Sequence, residues 1–262
     1  MNQPSARLIL ITPPELRANA AQTGLPMAHM DYRLGRGAHL LRAGQTPPAK
    51  GGLMMIGDGG FDGRGDPHAF CQAVYQECRL RGFRGVILDL ETHKPLLNQI
   101  ISGLEDICVR QSWSFYLPET LAPLSHRAKI MIPTALSGGS LTRRFTEAAE
   151  RYGRERLVPY LQRASEDFHL PAPGGRGHPL SREALTSLRS RLSPSIFYSR
   201  ELCAYYFTYM SRDAGAHFVL FDNAESLRRK MAVAAESGLD EFFLVYPEVQ
   251  DLLPEFLNQL HT

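Results

Sequence analysis

Short apolar runs alternate with helix-like stretches along most of this chain, and this alternation constrains its fold more than any other feature. Stretches such as DPHAFCQAVYQECRLRG (66–82) and NAESLRRKMAVAAESG (223–238) carry apolar residues at helical spacing. Strands separated by helices pair in parallel through crossover connections. Eight runs have the length and composition of strands: RLILIT (7–12), GLMMIGD (52–58), GVILDLE (85–91), SWSFYLPE (112–119), AKIMIPTA (128–135), RLVPYLQ (156–162), AHFVLFD (216–222) and EFFLVYPE (241–248).

Eight such strands in 262 residues favour a closed (β/α)8 TIM barrel over an open sheet, since this barrel typically needs about 250 residues. We therefore predict one α/β barrel domain spanning residues 1–262. An irregular or incomplete strand count stays open, because GAHLLRAG (37–44) and CAYYFTYM (203–210) could each form a further strand. Residues 31–52 and the Pro/Gly-rich segment 170–180 are predicted to be long loops, which are often functional.

The charge and hydropathy of the chain limit the binding partners and the cellular compartment that we expect. The formal net charge is +2, which gives no electrostatic footprint for nucleic acid or an anionic membrane. No apolar run approaches the ~20 residues of a membrane span, and RLILIT is shorter than the roughly 7–15 apolar residues of a signal-peptide core. We therefore expect a cytoplasmic protein without membrane insertion. Its four cysteines form no C-x-x-C pair and are expected to be buried thiols. The oligomeric state is not indicated.

The run GVILDLE ends in two carboxylates one residue apart. Residues two apart share one face of a strand, so Ile87, Asp89 and Glu91 should point the same way. In a barrel this face would line the interior, with the acids at the carboxyl-terminal mouth where barrel enzymes keep their active sites. Two carboxylates in one cavity do not both ionise readily, so the pKa of one should rise and suit a general acid. The structural alternative is that these acids cap a helix or pair with a lysine.

The segment FRGVILDLE resembles the fourth-strand signature of family 18 glycoside hydrolases, the chitinase-like barrels, which reads D-G-x-D-x-D-x-E after an aromatic residue. Asp89 falls on the last aspartate of the signature and Glu91 on its catalytic glutamate. The aromatic residue and the glycine also match, whereas Arg84 and Ile87 replace the first two aspartates. The motif is therefore degenerate.

Three other segments are similar to the same family. GLMMIGDGGFDG (52–63) resembles a preceding strand that ends in S-x-G-G, with Met55 at the serine and Asp58 at the second glycine, unless Gly59 and Gly60 form the glycine pair. EDFHLPAPGGRGHPL (166–180) is similar to the segment Y-D-F-H-G, with Asp167 on the aspartate. Residues 216–248 are similar to the last two strands and the helix between them, and the matching positions are Asp222, Asn223, Ser226, Lys230 and, in place of a tryptophan, Tyr246.

The resemblance implies a substrate and a mechanism. Family members cleave glycans that contain N-acetylglucosamine, such as chitin or peptidoglycan-type fragments, by retaining hydrolysis in which the substrate's own N-acetyl oxygen attacks the anomeric carbon. Glu91 would be the acid and base, and Asp89 would hold the acetamide and stabilise the developing positive charge. The candidate residues for binding the oligosaccharide are Tyr246, Asp167, Asp58 and, after another predicted strand, Glu119.

Two alternatives stay open. Because the signature is degenerate, the barrel could bind a glycan or a protein without cleaving anything. It could also be a metal-dependent hydrolase in which His68, His93 and Asp66 join Asp89 and Glu91 as ligands. The spacing of these residues matches no known ligand motif, so we expect no metal and no cofactor.

Overall fold

The computed structural model describes residues 6–90, 94–171, 177–212 and 215–258. The chain divides into two compact units. The first unit comprises Met1–Ile132, Ala148–Tyr160 and Asp240–Pro247. The second unit comprises Pro133–Glu147, Leu161–Leu239 and Glu248–Thr262.

Strands and helices alternate through most of the described residues. The strands are β1 (Arg7–Thr12), β2 (Met27–Gly35), β3 (Leu40–Arg42), β4 (Leu53–Gly59), β5 (Gly85–Leu88), β6 (Ser114–Pro118), β7 (Lys129–Pro133), β8 (Leu157–Leu161), β9 (Ser165–His169), β10 (His178–Pro179), β11 (Phe197–Ser199), β12 (Ala204–Ser211), β13 (Gly215–Phe221) and β14 (Glu241–Val245). The α-helices are α1 (Arg17–Ala21), α2 (Pro67–Arg81), α3 (Leu96–Gln111), α4 (Leu141–Tyr152), α5 (Arg182–Leu192), α6 (Ala224–Glu236), α7 (Tyr246–Val249) and α8 (Leu253–Asn258). In the part of the chain that the structure describes, no helix is both long and apolar enough to cross a membrane.

A closed parallel barrel forms the first unit, and this confirms the predicted TIM-barrel fold. Its eight strands follow the order β1, β14, β8, β7, β6, β5, β4 and β2, and the pairing of β1 with β2 closes the ring. The short strand β3 adds to β2 in antiparallel orientation. The segment GVILDLE therefore supplies the fourth strand of the barrel, as the resemblance to the family signature implied. It is only the third of the eight runs identified from the sequence, because β2 is not among them.

Two assignments made from the sequence were wrong. Residues 31–52, predicted to be a loop, contain the second half of the second barrel strand, β2. They also contain β3, which lies within GAHLLRAG (37–44), one of the two runs that could form a further strand. Strand β2 was overlooked because it carries polar residues, His29 and Asp31, which are nevertheless buried. The run AHFVLFD, predicted to be a barrel strand, is β13 of an antiparallel sheet. Only residues 212–214 separate it from β12, so the two strands pair as neighbours in a hairpin.

The barrel interior is filled by apolar side chains from alternate positions of its strands. Tyr116 and Phe243 meet edge to face there, with ring centroids 5.0 Å apart. The interior cluster consists of Ile9, Ile11, Ala28, Leu53, Met55, Ile87, Tyr116, Met131, Val158 and Phe243. Ile87 thus faces the interior, as the alternation in GVILDLE predicted.

Charged groups close the amino-terminal end of the barrel. Glu241 begins β14 and is 6% exposed. Its carboxylate accepts a hydrogen bond of 2.8 Å from the Tyr116 hydroxyl and forms ion pairs with Arg7, at 3.2 Å, and with Lys129. The buried carboxylate is therefore compensated by two cations and a hydroxyl.

Residues next to the ends of α2, a helix of the barrel's outer layer, determine where it begins and ends. Asp66 caps α2 by accepting the backbone N–H groups of His68 and Ala69. The helix ends at Gly82, whose φ of 73° suits a residue without a side chain.

All four cysteines of the chain are buried and unpaired, as expected, and three of them lie on helices α2 and α3.

The second unit is built on a five-stranded antiparallel sheet in the order β10, β9, β13, β12, β11. Helix α5 covers one face, where Leu185 and Leu188 pack against Phe207 and neighbouring side chains of the sheet. The opposite face carries a separate buried cluster centred on Phe168. Within the segment 170–180, predicted to be a loop, residues 178–179 form β10, and residues 172–176 lie outside the described chain.

Candidate functional site

A cavity of about 270 Å³ opens at the carboxyl-terminal ends of barrel strands β2, β4 and β5. Active sites of TIM-barrel enzymes lie at this end of the barrel. Its lining combines apolar side chains with two carboxylates and one guanidinium group. The lining residues are Met30, Tyr32, Arg33, Met55, Gly57, Asp58 and Asp89.

Asp89 reaches this cavity because the strand geometry of β5 continues beyond its last assigned residue. The Asp89 backbone N–H donates to the Ile56 carbonyl at 2.9 Å, which extends the ladder between β5 and β4. Ile87 faces the barrel interior, and Asp89, two residues on, lines the cavity above it. Glu91, the predicted acid, lies outside the described residues, so its role stays a prediction.

Asp58 also lines the cavity, at the end of β4. Its Oδ1 atom accepts the backbone N–H of Gly60 at 2.7 Å and that of Phe61 at 3.2 Å. The carboxylate thus folds the loop that follows β4 and presents its remaining lone pairs to the cavity. A substrate-binding role for Asp58 stays a prediction.

Two further candidates follow other barrel strands. Tyr246 comes directly after β14 as the first residue of α7, and it is only 7% exposed. Little of its ring is available for stacking on a sugar in this conformation. Glu119 is half-buried and begins the 3-10 helix Glu119–Leu124 after β6. Neither residue lines the cavity of the β2, β4 and β5 ends.

Asp167 belongs to β9 in the second unit, where two side chains of the same sheet bind its carboxylate. The Tyr209 hydroxyl donates to Oδ2 at 2.8 Å, and the Nδ1 atom of His217 lies 3.0 Å from Oδ1. The rings of Tyr209 and His217 stack with centroids 4.4 Å apart. The Asp167 carboxylate is therefore part of a local network, and its predicted role in substrate binding is not tested by this geometry.

The residues Asp222, Ser226 and Lys230, which the resemblance aligned with family positions, form a buried polar network in the second unit. The Lys230 ammonium group lies 2.6 Å from Asp222 Oδ2, and the Ser226 hydroxyl donates to Asp222 Oδ1 at 2.7 Å. The backbone N–H of Ala164 also donates to Asp222. Asn223 forms a capping box with Ser226 at the start of α6. This network holds α6 to the end of β13.

Sequence reasoning missed the contribution of β2 to the cavity. Met30, Tyr32 and Arg33 come from this strand, whose second half was predicted to belong to the loop 31–52. The signal that could have identified it is the alternation of Ala28, Met30, Tyr32 and Leu34. A register shift between His29 and Tyr32 breaks this pattern in the folded strand, as β-bulges do.

The metal-dependent alternative requires ligands that lie close together at the barrel mouth. Within residues 6–90, 94–171, 177–212 and 215–258, no three side chains of His, Cys, Asp or Glu are close enough together to hold an ion. Two members of the alternative ligand set, Glu91 and His93, lie outside these ranges. Asp66, a third member, accepts two backbone N–H groups as the cap of α2.

Comparison with known proteins gives matches by structure alone. No protein-family model matches the sequence, and a search of curated proteins finds no match. The spore cortex-lytic enzyme SleL of Bacillus cereus superposes with a TM-score of 0.71 at 16% identity, covering 97% of this chain and 75% of that one. A class V chitinase of Pseudomonas fluorescens gives a TM-score of 0.68 at 12% identity, covering 97% and 100%.

A third match is a family 18 chitinase of Cycas revoluta, solved in complex with (GlcNAc)3. It gives a TM-score of 0.63 at 14% identity and covers 98% of this chain and 100% of that one. At this sequence identity the matches show that the folds are similar, and they do not assign roles to individual residues. The chain has the fold of the family 18 glycoside hydrolases, as the resemblance of its fourth strand implied.

Proposed function

We propose that this protein is a glycoside hydrolase that cleaves N-acetylglucosamine-containing glycans by substrate-assisted, retaining hydrolysis. The observation that carries the proposal is the position of Asp89. It lines a cavity at the carboxyl-terminal end of the fourth barrel strand, where the family signature has its last aspartate. The fold match to chitinases and to a spore cortex-lytic enzyme supports the same class of substrate.

The proposed reaction assigns one step to each carboxyl group. Glu91 donates its proton to the glycosidic oxygen as the bond to the anomeric carbon breaks. The acetamide oxygen of the substrate attacks that carbon, and Asp89 orients the acetamide and stabilises its positive charge. Glu91 then accepts a proton from the water that opens the cyclic intermediate. The acetamide oxygen attacks the anomeric carbon from the face opposite the leaving group, and the water then attacks from the face that the leaving group occupied. The two inversions together retain the configuration.

A non-catalytic glycan-binding barrel is the second candidate, and two interior residues favour it. Ile87 stands where the family signature has an aspartate, and it is fully buried in the apolar interior cluster. Met55, 3% exposed, stands where the family has a serine. These replacements remove polar groups beneath Asp89 and leave it without the aspartate that would share a proton with it.

Hydrolysis of matched oligosaccharides separates the two candidates. Native protein is incubated with chito-oligosaccharides and with their de-N-acetylated counterparts, and the products and their anomeric configuration are followed by NMR. The hydrolase proposal requires cleavage of the acetylated chains with retention and no cleavage of the deacetylated ones. Binding without cleavage establishes the second candidate. Equal cleavage of both series contradicts the substrate-assisted mechanism.

A further inference from the structure

The second unit contains a cavity of its own, with a volume of about 280 Å³. It lies on the face of the antiparallel sheet that carries Phe168, against the segment 135–137. Ala164 and Leu220 line it and are almost fully buried. Apart from Glu166 and Ser137, the lining side chains are aliphatic. The described lining is therefore largely apolar and carries a single charged group.

Glu166 is that charged group. It lies on β9 directly opposite Leu220 of β13, and its side chain is half-buried. Gly177 packs closely against it, since a Cβ atom at that position would stand 2.7 Å from the Glu166 Oε2 atom. In the part of the chain that the structure describes, no group donates a hydrogen bond to this carboxylate and no cation pairs with it. Its lone pairs therefore remain available to a ligand.

Charged side chains that lie close to the lining residues in sequence have partners of their own. Arg143 and Arg163 pair with other carboxylates, at 3.3 and 2.9 Å. Asp167, the next residue of β9, lies on the opposite face of the sheet, where the Tyr209 hydroxyl binds it. Among the described residues, Glu166 is thus a negative charge in apolar surroundings without compensation. Its attraction to a cation is stronger there than in water.

The face that holds the cavity continues as a row of aromatic rings. Phe168, Phe218, Tyr206 and Phe197 come from four adjacent strands, and successive ring centroids lie 6.0, 5.2 and 5.6 Å apart. Phe197, at the end of the row, is 52% exposed. An apolar surface next to a carboxylate suits a ligand that combines a cation with an aliphatic chain.

We propose that this cavity binds a primary ammonium group at the end of an aliphatic chain, as a lysine-type side chain carries. The ammonium group pairs with Glu166 and donates to the Ser137 hydroxyl, because it has three N–H donors. The methylene groups pack on Leu220, Ala164 and Leu136, as long charged side chains do on apolar surfaces. A peptide side chain and a free alkylamine both present this chemistry. This binding is independent of the proposed hydrolysis, since none of these residues lines the cavity at the barrel mouth.

Titration with two matched small molecules tests this assignment. Pentylamine, which is protonated at neutral pH, and pentanol have the same aliphatic chain and differ in charge. Each is added to isotope-labelled native protein, and the amide shifts of Ala164 and Leu220 are followed by NMR. Native protein should bind pentylammonium about tenfold more tightly than pentanol, the ratio expected of one charge-assisted contact. Glu166→Gln, which keeps the shape of the side chain and removes its charge, should reduce this ratio to near one.

Glu236→Gln is the matched control, because Glu236 is an exposed acid at the end of α6 in the same unit. It should keep the native preference for the amine, and the amide spectrum shows that each variant is folded. Equal binding of amine and alcohol by native protein, or an undiminished preference in Glu166→Gln, would overturn the inference.

Two further amines identify the source of the ammonium group. The methylamide of acetyl-lysine presents it as a peptide does, and cadaverine presents it as a free amine. Tighter binding of the lysine derivative assigns the cavity to a peptide, and tighter binding of cadaverine assigns it to a free amine. Either result supports the inference when Glu166→Gln weakens that binding about tenfold. Binding of both amines that is unchanged in Glu166→Gln contradicts it.

Discussion

The ammonium group of Lys230 lies 2.6 Å from the Asp222 carboxylate, and neither side chain is exposed to solvent. Removing one partner of such a pair leaves the other charge buried without compensation. We expect Lys230→Met to lower the free energy of unfolding by about 3–5 kcal/mol in urea titrations. Arg229 in the same helix is 64% exposed, so Arg229→Met should cost less than about 1 kcal/mol. Equal losses in the two variants would show that the buried pair has no special importance.

The hydrogen bond from Tyr116 to Glu241 gives a second stability prediction. Tyr116→Phe removes a donor from a buried carboxylate that keeps its ion pairs with Arg7 and Lys129. We expect a loss of about 1.5–3 kcal/mol in the free energy of unfolding, typical of a hydrogen bond to a charged group. Tyr75→Phe is the control, since the structure gives the Tyr75 hydroxyl no partner among the described residues. A loss as large in the control would refute the assigned role of the hydrogen bond.

His29 should make the stability of the protein depend on pH. Burial lowers the pKa of this histidine to about 4, against 6.5 for an exposed one. The unfolded chain therefore takes up a proton at a higher pH than the native protein does, and native stability falls as the pH drops from about 6.5 toward 4. At pH 5 the loss from this residue should be about 2 kcal/mol.

His29→Gln should remove that part of the pH dependence. The measurement is urea unfolding of native protein and variant at pH 7 and pH 5. The difference in unfolding free energy between the two proteins should shift by about 2 kcal/mol in favour of the variant at the lower pH. Parallel pH profiles for the two proteins would rule out His29 as the titrating group.

The cysteines should resist alkylation in the native state. Burial raises the pKa of Cys71, Cys78 and Cys108 to about 12, so the reactive thiolate is scarce at pH 8. Burial also raises the pKa of Cys203. Native protein should react with iodoacetamide slowly at all four positions, and urea-unfolded protein quickly. Mass spectrometry after a timed exposure counts the modified thiols, and rapid labelling of any one in native protein would contradict its buried position.

Substitutions of Glu91 and Asp89 test the proposed catalytic roles. Glu91→Gln should lower kcat for a chitobiose-type substrate by about 10²- to 10⁴-fold while binding survives, because the amide keeps the shape and loses the proton. Asp89→Asn should also slow turnover. Asp106→Asn, an exposed acid of α3, is the control and should leave turnover unchanged. Undiminished cleavage by Glu91→Gln would show that another group is the acid.

The barrel was predictable from sequence because its strands are mostly uniform apolar runs of the kind that parallel strands need. Period-two alternation in GVILDLE also placed Ile87 and Asp89 on one face correctly. Strand β2 was not predicted because it contains a buried carboxylate, Asp31. This carboxylate pairs with Arg17 at 2.6 Å and accepts the Ala49 N–H. Partners distant in sequence made a polar strand tolerable in the interior, and no local pattern reveals such partners.

The cavity itself was only partly predictable. Asp58 lies near the end of β4 and Asp89 directly after β5, and both strands were recognised from the sequence. Their shared position at the mouth follows from the parallel order of these strands. The positions of Arg33 and Tyr32 in the cavity could not be predicted, because their strand, β2, was not recognised in the sequence. The Asp222 and Lys230 pair shows a further limit. A motif identifies the residues, but whether they contact substrate or hold a helix in place depends on tertiary packing.

The pairing of β1 with β14 has a consequence for how the chain is made. These strands lie near opposite ends of the sequence, and β14 also bridges β1 to β8. Until the ribosome has released β14, its place between β1 and β8 is empty. The seven earlier barrel strands then have two open edges, one on β1 and one on β8. Open edges of hydrophobic strands invite pairing with other chains. Translation that stalls within the segment between β8 and β14 should therefore yield nascent chains that depend on chaperones, whereas completing the last strand seals both edges at once.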